Sequence, residues 1–321
     1  MLSSTSASDA LRFTFRALLF AALVGALVMA VMHWGPPAAP SDFMSSTVLK
    51  NDRLRAIGSP KVVLVGGSNL AYGVDSERLG RALCMPVANM GLTALLGFRF
   101  IADEALAATG EGDLLIVCLE RGTYQLPDPS PDALATVVDY RPEALGLVPW
   151  RQQPRLLASL GALHLQTLRD HWEHWLLHGA APGYNDRHFL PNGDVVNHLN
   201  APQVGWPDPQ RNVHDTLIIA PSFWELAANL VDRAEAKGAH VAFGFSSMAD
   251  TIYNPAVNQR LKEELLAHGL TVIGDPARYR FADSLFYDSW YHLRGHGRAL
   301  RTERLIEDLC TAMPEQCCVA R

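Results

Sequence analysis

The chain has no basic tract and no cluster of Lys or Arg interleaved with aromatic residues, and its formal net charge is −6. It lacks the electrostatic footprint of a nucleic-acid binder, so that class of partner is set aside. No Cys-x-x-Cys pair occurs, which removes the usual thiolate spacing of a zinc site, and the five cysteines are an odd set. Cys84 and Cys118 lie in apolar stretches and read as buried free thiols. Cys310, Cys317 and Cys318 cluster at the end, where an oxidising compartment could join Cys310 to one of the other two. Charge is sparse, at 19% of residues against 49% hydrophobic. That balance fits a folded, enzyme-sized protein with a membrane contribution, and 321 residues are enough for one large domain or two small ones.

Charge is missing altogether from residues 17–34, ALLFAALVGALVMAVMHW, a run about long enough to cross a hydrocarbon core as a helix. Arg12 and Arg16 precede it and a Pro/Ala/Ser stretch follows, which predicts an N-terminus in the cytoplasm and a body outside. A cleaved signal peptide is the rival reading, since small residues follow the run. Its apolar core exceeds the ~7–15 residues of a secretory signal, and prolines crowd the cleavage position, so an uncleaved anchor is expected. Residues 1–16 are then a cytoplasmic tail, 17–34 a transmembrane anchor and 35–60 a linker that ends in a short helix.

From residue 61 the pattern alternates. Val/Leu/Ile runs at 61–65 and 114–119 read as strands and 86–91 as a short strand ending in a loop, with helices between them at about 75–83 and 97–109. Residues 126–215 show frequent Pro, Trp and His and no strand period, and read as a mostly helical or irregular cap inserted over the carboxyl ends of the strands. The alternation returns with a helix at 221–237, a strand at 239–245, a helix at 254–268, a short strand at 270–273 and a last helix at 297–309. Such alternation implies an α/β fold built on a doubly wound parallel sheet, with residues 61–125 and 216–321 forming the catalytic domain.

The first strand breaks off into Gly66-Gly67-Ser68-Asn69, where glycines allow the tight turn that lifts a serine from the sheet edge. An ordinary strand-to-helix turn would look the same. A serine hydroxyl needs a base within reach, and the base needs a third group to orient it. His292 fits the base, with Asp288 four residues upstream in a loop before the final helix.

These residues, with Tyr72-Gly73-Val74-Asp75, Asn89-Met90-Gly91 and Gly112-Asp113, resemble the SGNH/GDSL hydrolase superfamily. More narrowly, they resemble its membrane-anchored SGNH-like proteins of cell-surface polysaccharide O-acylation. The resemblance spans residues 61–120 and 221–310. It implies a flavodoxin-like SGNH fold, with Ser68 as nucleophile, His292 as general base and Asp288 as its orienter. Gly91 is implied as an oxyanion donor along with the Ser68 N–H, with Asn69 or Asn89 as substitutes for a third-strand asparagine that the chain lacks. Two departures stand out: the third strand ends in Glu120, where the superfamily places an asparagine, and its Asp usually lies three residues before its His rather than four.

The implied activity is a serine O-acyltransferase or acylesterase, acetyl being the expected group, that acts on a cell-surface polysaccharide from the periplasmic side of a bacterial inner membrane. A multi-pass membrane acyltransferase is the implied acyl-donating partner, and no cofactor is expected. The alternative is a catalytically degenerate relative that binds polysaccharide or scaffolds such a partner. His171, His174 and His178, with Asp170 and Glu173, could converge on a metal along one helix, but a polar helix face beside Trp175 is the preferred reading, and no metal is expected. Trp172, Trp175 and Trp206 read either as sugar-stacking or as core residues.

Overall fold

The structure, a computed structural model, describes residues 7–34, 42–177, 188–205 and 216–318. Four strands, β1 (Val62–Gly66), β2 (Val87–Asn89), β3 (Leu114–Cys118) and β4 (His240–Phe243), form a parallel sheet in the order β2-β1-β3-β4. The helices are α1 (Ala7–Trp34), α2 (Asp42–Ala56), α3 (Ser68–Gly73), α4 (Ser76–Leu83), α5 (Gly97–Ala107), α6 (Arg121–Gln125), α7 (Pro131–Tyr140), α8 (Gln153–Leu177), α9 (Pro221–Glu235), α10 (Pro255–Ala267) and α11 (Gly295–Ala312).

β1 and β3 are buried along their whole length, the condition that selects unbroken Val/Leu/Ile runs. Pleating sends alternate side chains to opposite faces. Val63, Val65, Leu115, Val117 and Phe243 enter one apolar layer with Phe98 and Ile101 of α5 and Phe223 and Leu230 of α9. Val62, Leu64, Leu114 and Ile116 enter the other with Leu70, Leu79, Leu83, Leu305 and Leu309 of α3, α4 and α11. Helices therefore cover both faces.

Local chemistry sets the boundaries. The Asp75 side chain accepts the Arg78 N–H at 3.0 Å and starts α4, and Asn254 does the same for α10 with Pro255 at its first position. The strand expected at 270–273 is reduced to one parallel bridge between Val272 and Phe243. Gly269 and Gly274 flank it at φ +73° and +76°, so the chain turns before a ladder can grow. At the amino ends of the strands, Asp113 accepts from Lys61 Nζ at 2.7 Å and from the Lys61 and Gly110 amides at 2.9 Å each. This places Gly112-Asp113 at the end of the sheet opposite Ser68, in a structural role.

Within 126–215, α7 adds Leu134, Val137 and Val138 to the same apolar layer as α5. Residues 188–205 reach the carboxyl end of the sheet and meet α3 and α11 there. The thiol reading needs correction at Cys84. Cys84 is bonded to Cys318 and Cys310 to Cys317, and Cys118 alone is a free, buried thiol. α4 and α11 pack on one sheet face, which brings the end of α4 against the chain terminus.

Among the described residues, α1 is the one helix long and apolar enough to span a membrane, with its apolar window at Asp9–Leu27. It begins at Ala7, so Arg12 and Arg16 lie within the helix rather than ahead of it. Leu11, Phe13, Phe20 and Leu27 are exposed along it.

Candidate active site

Ser68 is the first residue of α3, directly after β1 and Gly67. The turn is tight: a Cβ on Gly66 would meet Cys118 O at 2.2 Å, and one on Gly67 would meet Glu120 Oε2 at 2.1 Å. Glycine is the residue that fits at both positions.

His292 and Asp288 belong to a short antiparallel hairpin, closed by a bridge between Phe286 and Leu293 and by the Tyr287 N–H donating to His292 O at 2.8 Å. The turn brings Asp288 back beside His292, which accommodates a spacing of four. Ser247 Oγ, donating to Tyr291 O at 2.9 Å, holds the hairpin from the β4 side.

The three side chains meet. Ser68 Oγ lies 2.7 Å from His292 Nε2, and His292 Nδ1 lies 2.6 Å from Asp288 Oδ1. A carboxylate only accepts, so the imidazole carries its proton on Nδ1 and leaves Nε2 to receive the Ser68 proton. The His292 side chain is 16% exposed and that of Asp288 38%, so the imidazole is sheltered while the carboxylate touches water.

Sequence reasoning assigned no role to several residues that build this arrangement. Tyr72, one turn along α3 from Ser68, stacks on the His292 ring with centroids 4.0 Å apart and planes at 9°. Burial, followed by the Asp288 charge, pushes the Tyr72 phenol above its usual range, so it stays neutral. Buried His198 donates from Nε2 to Leu293 O at 2.9 Å and Tyr72 O at 3.1 Å, tying the 188–205 segment to both sides of the pair. Burial drives its pKa down to about 4, which keeps the ring neutral. Arg301, wholly buried in α11, donates to the Asn69 carbonyl and, at 2.8 Å, to Asn69 Oδ1. The i+4 spacing of Ser68 and Tyr72 was a usable signal. The partners in 188–205 and α11 were not, because only the fold brings them near.

The residues expected to bind an oxyanion make hydrogen bonds within the fold. The Gly91 N–H donates to Asn89 Oδ1 at 3.0 Å, while Asn89 Nδ2 donates to Leu70 O at 3.0 Å and to Asp194 Oδ1 at 2.8 Å. Both amide hydrogens of Asn89 are thus spent. Asn69 Nδ2 donates to Cys118 O at 3.1 Å. Gly91 serves close packing, since a Cβ there would meet Gly67 O and Leu70 Cβ at 2.7 Å. The Ser68 N–H stands at the first helical position of α3, where a helix gives its amides no internal partner.

Among the described residues, no group of three or more His, Cys, Asp or Glu could hold a metal. The side chains of Asp170, His171, Trp172, Glu173, His174, Trp175, His178 and Trp206 lie outside those described. A surface hollow of about 640 Å³, lined by Leu49, Ala56, Tyr140, Phe189 and Pro191 among others, includes neither Ser68 nor His292. Hydrogen bonds between reacting atoms, rather than hollow size, locate the candidate site. No protein-family model matches the chain, and no curated protein does.

Proposed function

We propose that the chain is a membrane-anchored serine acyltransferase or acylesterase of SGNH type, working outside the cytoplasm on a cell-surface polysaccharide. One observation carries this reading: Ser68 Oγ, His292 and Asp288 form a continuous hydrogen-bonded relay of 2.7 and 2.6 Å. In the first step Ser68 Oγ attacks an acyl carbonyl and its proton passes to His292 Nε2. The leaving group departs with that proton, and an acyl-serine remains. In the second step a sugar hydroxyl or water gives its proton to His292 and takes the acyl group, which restores Ser68. Transfer and hydrolysis share the first step and differ only in the acceptor.

The strand order, with helices on both faces, favours the doubly wound SGNH reading of the sheet. The apolar α1 supports an anchor, and two disulfides support an oxidising, periplasmic location at a bacterial inner membrane. A multi-pass membrane acyltransferase would then be the acyl-donating partner.

The test uses the full chain in detergent. Wild-type protein should hydrolyse an aryl acetate and gain the mass of a fluorophosphonate on Ser68, and Ser68→Ala should do neither. Equal aryl acetate turnover by both proteins would overturn the reading. One observation favours a second reading, a binding protein or scaffold with a degenerate site: Gly91, Asn69 and Asn89 are committed elsewhere, and loss of one oxyanion donor costs about 10²–10³ in kcat. Under that reading Ser68→Ala would leave polysaccharide acylation in cells unchanged.

A further inference from the structure

Glu120 follows β3 and is 5% exposed. Its Oε1 accepts the Asn69 N–H at 2.9 Å and lies 3.4 Å from Ser68 Oγ, while its Oε2 is buried without a partner. α3 has Gly67 at its N-cap and therefore no capping side chain of its own. The first-turn amide that such a side chain would satisfy is satisfied by Glu120, across 51 residues of chain. Gly67 and Glu120 are also sterically matched, because the Glu120 carboxylate fills the space that any Cβ at position 67 would need.

Resting on the serine-nucleophile reading above, we propose that Glu120 is a positioning residue: it caps the nucleophile turn from the end of β3 and so holds Ser68 rigid. The cap acts through the Asn69 N–H, one residue beyond Ser68, and so fixes the direction of Oγ toward His292. A carboxylate accepts hydrogen bonds and offers none, so the same group cannot stabilise the developing oxyanion. A carboxamide of the same shape keeps the cap: its oxygen takes the Asn69 N–H, and its NH₂ falls at the Oε2 position against Gly67.

The test compares wild type, Glu120→Ala and Glu120→Gln in the full chain. The readouts are the rate of fluorophosphonate labelling of Ser68, kcat and KM for an aryl acetate, and the melting temperature. In labelling, the Oγ–P bond forms, the P–F bond breaks, fluoride leaves and the hydroxyl proton passes to His292. Glu120→Ala leaves a buried amide without a partner, so labelling should fall by roughly tenfold or more. Glu120→Gln should label within about threefold of wild type, with kcat and KM for the aryl acetate likewise close to wild type, because its oxygen keeps the Asn69 N–H. A purely structural role would lower the melting temperature of Glu120→Ala without slowing the labelling of the protein that is folded.

Labelling of Glu120→Ala at the wild-type rate overturns the proposal, as does a loss beyond about threefold in Glu120→Gln. Should Glu120→Ala fail to fold, the Glu120→Gln criterion decides alone. Wild-type protein unlabelled on Ser68 would instead defeat the serine-nucleophile reading itself, so the two failures are distinguishable.

Discussion

If Asp288 works by orienting and charging His292, removing it should matter only while His292 is present. The imidazolium formed during acylation lies against Asp288, whose Oδ1 is 2.6 Å from Nδ1, giving charge centres about 4 Å apart. At that separation the attraction is about 4 kcal/mol at an effective dielectric of 20 and about 1 kcal/mol in water. The Asp288 side chain is 38% exposed and that of His292 16%, which sets the value between these limits, at about 2–3 kcal/mol. Asp288→Ala should therefore slow fluorophosphonate labelling of Ser68 by roughly 30- to 150-fold. Ser68 should still be labelled, because Nε2 remains in reach and Tyr72 still stacks on the ring. His292→Ala should cost more, and adding Asp288→Ala to it should cost almost nothing further, since the carboxylate then has no imidazole to act on. The assay is this four-protein cycle at one pH, with melting temperatures to confirm folding. A full Asp288→Ala penalty persisting in the His292→Ala background would refute the relay, whatever the distances.

Other perturbations test the surroundings. Gly91→Ala places a methyl 2.7 Å from Gly67 O and 2.8 Å from Ala71 N, both backbone atoms, so it should cost about 1–3 kcal/mol in denaturant unfolding and slow labelling as the turn shifts. Cys84→Ser opens a link between residues 234 apart in sequence, and chain entropy predicts a loss near 5 kcal/mol, to be read as a fall in the unfolding midpoint under oxidising conditions and none in excess reductant. Burial drives the Lys50 ammonium from its usual 10.5 to about 7, against the opposing pull of Asp194 and Glu104. Between those values the unfolded chain binds the extra proton, so stability should rise with pH from about 7 upward, by up to about 1.4 kcal/mol per unit, and Lys50→Met should flatten that slope. For His198, lowered to about 4 by burial, the unfolded chain again binds the extra proton. Stability should fall as pH drops from about 6.5 toward 4, with His198→Asn showing a weaker acid dependence in thermal melts.

Periodicity and turn chemistry are local, and what depends on them could be read from the chain. β1 and β3 announce themselves as apolar runs because a strand buried on both faces tolerates nothing else, and Gly66-Gly67-Ser68 marks the turn because a Cβ would collide there. The pairing of Cys84 with Cys318 was not legible, since it depends on α4 and α11 sharing a sheet face. The same holds for Asp194, which lies in a segment with no strand or helix period. Its carboxylate nevertheless accepts from Ser76 Oγ, Asn89 Nδ2 and Arg298 Nη2 in the fold.

Glu120 is the instructive case. Read along the chain it is an anomaly, a carboxylate where an oxyanion donor was expected, and the natural inference from it is a weakened catalyst. In space it caps α3, and the donors expected to replace it, Asn69 and Asn89, are held by Cys118 O, Leu70 O and Asp194. Glu120→Gln is therefore the substitution that isolates the cap, because its carboxamide oxygen keeps the Asn69 N–H that Glu120→Ala abandons.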